Sequence, residues 1–262
     1  MRPSLSSHHE IGGEIRRGAT VTDELLPPGL VLAWDGAEQG VRRGPKPAHS
    51  VDSVVAAAIA VADAEGYAAL SMPRIARQLK ITANALYRYV ASRDELIVLM
   101  VDAAWGLPPD DIEASTDWRE ACTRWVQAML ARMRARPWLV DAPVRGAPST
   151  PNLLRWLEVF LSAMDGCGLT PGDVLGCAML LDGYARSTAQ LDRDLTDRTE
   201  PAVDPARLAG FLVPRLIERG YPRLAQVMTG GGYSDGPIED DDVDFGLGRI
   251  LDGIDVLISR KP

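Results

Sequence analysis

Histidine, cysteine and phenylalanine each occur only three times in 262 residues, and this scarcity narrows the choice of function early. The histidines, His8, His9 and His49, fall in stretches without hydrophobic periodicity. The cysteines, Cys122, Cys167 and Cys177, are odd in number and show no CxxC spacing. Neither set resembles the ligand pattern of a metal site. The thiols read instead as small apolar core residues of a reduced, cytoplasmic protein. No apolar run approaches the roughly 20 residues that span a bilayer, and the first residues lack the apolar stretch of a secretory signal. There is no GxSxG, no Gly-rich phosphate loop and no HExxH, so neither an enzyme nor a bound cofactor is expected.

The net charge of −8 taken alone argues against nucleic acid, but its distribution reverses that. Residues 42–93 carry eight Lys and Arg against three acids, an excess of five, which leaves the rest of the chain at −13. A basic block on an acidic body is the footprint of a DNA reader with a separate regulatory part.

Periodicity divides the chain into three. Residues 1–49 lack a sustained period and read as a mobile extension. Within it, Leu25 to Trp34 is apolar enough to pack, and Arg42-Arg43-Gly44-Pro45-Lys46-Pro47 is a basic, extended arm. Residues 50–105 hold four short helical patterns. The first runs from about Ser50 to Gly66, the second from a Ser71 cap to Leu79. The third starts at Thr82, and the fourth at Ser92, where Ser92-x-x-Glu95 has the form of a capping box. Residues 106–262 repeat the helical period, with apolar faces from Trp118, Leu153, Pro171, Leu208 and about Asp242 onward. No strand or internal repeat is evident. The expected fold is all-α: a three-helix head with a helix-turn-helix, then a larger helical body that binds ligand and dimerises.

The third helix carries the chemistry. On a 100° wheel Leu86 and Val90 point inward, while Asn84, Tyr87 and Arg88 share the opposite face, with Thr82 and Ala83 at the leading end. Asn can pair with adenine, Arg with guanine, and an Ala methyl can meet that of thymine. Tyr87 and Tyr89 can donate to phosphates. Ser71 and Arg93 sit at helix starts, where phosphate is favoured. Arg42, Arg43 and Lys46 can reach an adjacent groove or backbone.

These residues resemble the N-terminal domain of the TetR family of one-component repressors. The resemblance is carried by Ile75-Ala76-Arg77-Gln78-Leu79-Lys80-Ile81, Leu86-Tyr87-Arg88-Tyr89-Val90 and Arg93-Asp94-Glu95-Leu96. Residues 244–253 also resemble the last helix of tetracycline-repressor-like C-terminal domains. One departure stands out: where the family has Gly in the turn, this chain has Lys80. Either the turn is reshaped, or a strained Lys80 adds a phosphate contact.

The resemblance implies a homodimer on a palindromic double-stranded operator, released by a small hydrophobic effector. For dimerisation, the helices at 171–195 and 242–259 are apolar beyond the needs of one core, with Gly176 and Gly183 permitting close approach. For the effector, Trp105, Trp125, Met129, Met133, Trp138, Trp156, Phe160, Met164 and Met179 are candidate lining residues. Asp182, Tyr184, Arg186 and Gln190 are candidate polar contacts. Two other readings stay open: a constitutive or architectural DNA binder without effector, and an all-helical enzyme or interaction module.

Overall fold

A computed structural model describes residues 26–36, 49–144, 146–197, 204–230 and 238–260. Among them are eleven α-helices and no strand. The head comprises α2 (Val51–Glu65), α3 (Met72–Gln78), α4 (Ala83–Leu86) and α5 (Arg93–Trp105), preceded by α1 (Leu30–Asp35). The body comprises α6 (Trp118–Ala135), α7 (Pro151–Ala163), α8 (Pro171–Thr196), α9 (Pro205–Glu218), α10 (Pro222–Thr229) and α11 (Asp240–Ser259).

Side-chain caps set the head boundaries. The hydroxyls of Ser50, Ser71, Thr82 and Ser92 each accept a backbone N–H three residues on, satisfying donors that a helix start leaves without partners. The capping box expected at Ser92 forms only in half. Glu95 N–H donates to the Ser92 hydroxyl at 3.0 Å, but the Glu95 carboxylate accepts from Ala91 N–H, one residue before the cap.

The extension expected to be mobile contains an ordered piece. Helix α1 packs along α5, and the Trp34 indole N–H donates to the Ser149 carbonyl at 2.9 Å, across 115 residues. Its start needs Gly29, which has φ +81°, and a Cβ there would meet the Glu95 carbonyl at 3.0 Å. The basic arm at Arg42, Arg43 and Lys46 lies outside the described residues.

The turn between α3 and α4 is not reshaped. Leu79 is the C-cap, Lys80 N–H donates to Arg77 O at 3.1 Å, and Ile81 N–H donates to Ala76 O at 3.0 Å. This pair of bonds is a Schellman motif, whose closing residue must be left-handed. Lys80 has φ +57°, the one positive φ outside glycine among the described residues. For an L side chain that conformation costs roughly 1–2 kcal/mol.

The body core is one continuous apolar cluster with the head's. Helices α6, α7 and α8 pack together, and α11 lies on α8. Tyr184 of α8 donates its hydroxyl to Val243 O of α11 at 2.8 Å. The two helices meet closely there: a Cβ at Gly246 would lie 2.5 Å from the Tyr184 hydroxyl oxygen. Arg119 of α6 pairs with Asp252 of α11 and holds that carboxyl below its usual range.

Candidate nucleic-acid interface

Burial sorts the helix α4 side chains as the wheel anticipates. Leu86 and Val90 are fully buried, whereas Thr82, Asn84, Tyr87 and Arg88 are exposed and Ala83 is half-buried. Tyr87 is 50 % exposed, high for a large ring with no neighbour to cover it. The regular helical part of α4 is short, ending at Leu86, with Tyr87 as its C-cap.

Neighbouring elements fix the surface. Arg74 grips Glu65 with Nε at 3.0 Å and a terminal nitrogen at 2.5 Å, tying α3 to α2. The Glu65 carboxyl is held below its usual range by the Arg74 guanidinium. Arg74 is therefore committed to the scaffold. By contrast, no ion pair engages Arg77, Lys80 or Arg88 among the described residues, and all three are exposed.

Three expected contact residues have structural duties as well. Ser71 caps α3. Tyr89 is half-buried, its ring edge-on to His49 at 6.5 Å. Arg93 is exposed, but its Nε donates to Leu70 O at 3.4 Å and its guanidinium lies 6.0 Å from the Tyr67 ring centre. Arg93 thus spans α5 and the segment that enters α3.

The candidate effector residues fall into distinct groups. Trp105, Trp125, Trp156 and Phe160 form one aromatic cluster, with ring centres 5.6 Å apart for Trp105–Trp156 and 5.0 Å for Trp125–Phe160. Met129, Met133 and Met164 are buried in the same core. Cys122 lies there too, its sulfur 3.6 Å from that of Met164, and burial pushes its thiol up to about 12. Trp138 is buried elsewhere, at the seam between head and body. Met179 stands apart from this buried group: it is 77 % exposed on α8. Asp182 pairs with Arg186 at 2.9 Å, and the Arg186 guanidinium lies 5.5 Å from the Trp105 ring centre. Gln190 turns away to Asp194, and Tyr184 serves the α8–α11 contact described above.

The head is wired to the body mostly through the end of α5, by bonds that the sequence does not disclose residue by residue. The Asp102 carboxylate accepts the backbone N–H groups of Asn152 at 3.0 Å and Leu153 at 3.1 Å. It thereby caps α7, whose own N-cap Thr150 contributes no side-chain bond. Ala104 O accepts from Arg136 at 3.3 Å, and Gly106 O accepts from the Trp156 indole at 2.9 Å. A second tie joins α2 to the body: Asp63 accepts the Trp138 indole N–H at 2.6 Å and lies 3.5 Å from Arg136. A polar cleft of about 480 Å³ opens beside this tie, lined by Asp63, Trp138, Asp141 and Arg193 among others. Its carboxylates do not suit a hydrophobic effector.

Comparison with known proteins decides the family. The profile described as "Bacterial regulatory proteins, tetR family" matches residues 54–100, and "Tetracyclin repressor-like, C-terminal domain" matches residues 110–258. The chain belongs to the TetR family. A TetR relative from Streptomyces coeruleorubidus, "HTH-type transcriptional repressor DrrR1", is 32 % identical over all of this chain and 98 % of its own length. Apo ActR from Streptomyces coelicolor matches in fold with a TM-score of 0.67 at 23 % identity, covering 83 % of this chain and all of ActR. ActR in complex with actinorhodin matches at TM-score 0.68 and 24 % identity, over 79 % of this chain and 96 % of that one. The protein is a TetR-family transcriptional regulator. Among the described residues no helix is long and apolar enough to cross a membrane.

Proposed function

We propose that this TetR-family repressor binds a palindromic operator as a homodimer and leaves it when a small hydrophobic effector enters the body. Each subunit places α4 in a major groove, with Asn84 and Arg88 at base edges and Tyr87, Ser71 and Arg93 against the backbone. The arm at Arg42, Arg43 and Lys46, which lies outside the described residues, is assigned to the flanking groove on its charge alone.

One observation carries the switching part: α5 ends inside the aromatic core. Trp105 is its last residue and touches Trp156, whose indole also bonds Gly106 O. An effector that parts Trp156 from Trp105 cannot do so without moving α5, and α5 carries the head. The aromatic and methionine lining suits a flat apolar ligand, and ActR, of the same fold, is known with actinorhodin. The effector must prefer the displaced arrangement. A preference of about 100-fold corresponds to roughly 2.7 kcal/mol.

Dimerisation rests on the outer face of α8. Leu175, Met179, Leu180 and Leu191 are exposed there, Gly176 and Gly183 face open space, and Phe245 of α11 is 70 % exposed. A contiguous apolar face of this kind marks an association surface.

Arg88→Ala is expected to lower affinity for a duplex selected by the wild-type protein by about 1–3 kcal/mol, with no loss in melting temperature, since no partner engages Arg88 among the described residues. Equal binding by the variant contradicts the placement of α4. A panel of flat aromatic compounds in a thermal-shift assay tests the effector, because a ligand raises the melting point with occupancy. A panel without effect on melting or on operator binding favours a constitutive DNA binder.

A further inference from the structure

The chain builds the same helix ending twice. At the end of α9, Gly220 N–H donates to Ile217 O at 3.0 Å and Tyr221 N–H to Leu216 O at 2.7 Å, with Gly220 at φ +77°. At the end of α3 the identical bond pair closes around Lys80 at φ +57°. Glycine adopts this conformation without penalty, and a lysine does not. The exposed turn at Gly220 therefore uses the relaxed residue, and the turn two residues ahead of the α4 cap uses the strained one.

Packing does not explain the exception. Lys80 is exposed, and no carboxylate pairs with it among the described residues. The apolar partner of the motif is Ile81, which packs on the core without any help from Lys80. What the position does offer is placement: it lies two residues before the α4 cap Thr82, in the turn that leads into the exposed Asn84, Tyr87 and Arg88. A flexible ammonium there works as a point charge toward a phosphate, not as a reader of bases.

We infer that Lys80 is a phosphate-contacting residue of the DNA complex, and that the backbone strain at the turn is retained for its charge. This rests on DNA reading by α4 as proposed above. It adds a sequence-independent contact next to the base-reading residues and makes the turn itself part of the interface.

The test compares Lys80→Gly, Lys80→Asn and Lys80→Arg in the full-length protein, on a duplex selected from a random pool by the wild type. Gly and Asn tolerate the left-handed conformation, so both variants are expected to melt up to about 3 °C higher. Both should bind the selected duplex several-fold more weakly, and unselected duplexes more weakly by the same factor. The slope of log affinity against log salt should shrink by about 0.9 for each bound chain. Lys80→Arg should keep wild-type affinity and slope. Unchanged affinity and slope in Lys80→Gly overturns the inference, as does a loss confined to the selected sequence, which would mean base reading. Arg88→Ala in parallel separates the two ideas: if it loses selectivity while Lys80→Gly binds normally, α4 reads DNA and the Lys80 contact is wrong.

Discussion

Met179→Asp is expected to convert the repressor to monomers and to lower operator affinity by at least about 100-fold. Met179 is 77 % exposed, so the protomer loses almost nothing when it changes. In an isologous dimer, however, each substitution enters the interface twice. Two carboxylates would be brought into an apolar face that also holds Leu175, Leu180 and Leu191. Burying an unpaired charge costs several kcal/mol, more than an interface of this type can absorb. The loss of DNA affinity follows from linkage. One head bound to its half-site holds the second at high effective concentration, worth about 10²–10⁴ in affinity, and a monomer forfeits that factor. Sedimentation velocity and a gel shift on the same preparation measure both. A dimer that survives the substitution places the interface elsewhere.

Asp102→Ala is expected to destabilise the protein by about 1–3 kcal/mol, a fall of several degrees in melting temperature for a chain of this size. Asp102 is nearly buried and belongs to α5, yet its carboxylate supplies the cap of α7. Its removal leaves the N–H groups of Asn152 and Leu153 without their acceptor. The hydroxyl of Thr150 is buried nearby and has no partner, so it stands ready to rotate and cap in its place. Thr150→Ala alone should therefore cost little, and the double variant Asp102→Ala/Thr150→Ala should cost more than the two single losses combined. Asp102→Asn keeps the acceptor oxygen and should fall between wild type and Asp102→Ala. Thermal melts of the wild type and the four variants check the pattern, and simple additivity contradicts it.

The head was legible in the sequence because its signals are local. Ser50, Ser71, Thr82 and Ser92 declare helix starts to within a residue, and the 100° spacing of Leu86 and Val90 against Asn84, Tyr87 and Arg88 is visible without coordinates. The turn at Lys80 was legible only as a departure: a non-glycine residue there left open whether the backbone stays left-handed, and the structure shows that it does. What stayed hidden depends on long-range contact. Asp102 reads as one charge in an otherwise apolar helical stretch, and only the fold brings it to the start of α7, 50 residues away. Trp138 resembles the other tryptophans in composition, but its indole goes to Asp63 and not to the aromatic cluster. Met179 fits a Met-rich lining by type, and spacing alone cannot say which side of a long helix faces out. Helix α10 is only eight residues long, too short for a periodic pattern to announce it. The half-formed box at Ser92 shows a finer limit: a sequence names the partners of a cap but not which N–H a flexible carboxylate reaches.

The most direct measurement is the composition and footprint of the complex with duplexes selected from a random pool. Native mass spectrometry should find two chains on each selected site, and the selected sequence should read as an inverted repeat. Footprinting should protect two major-groove patches separated by about 34 Å or a multiple of it, and Met179→Asp should abolish the paired pattern. A selected site without two-fold symmetry, occupied by one chain and bound equally well by Met179→Asp, contradicts the account.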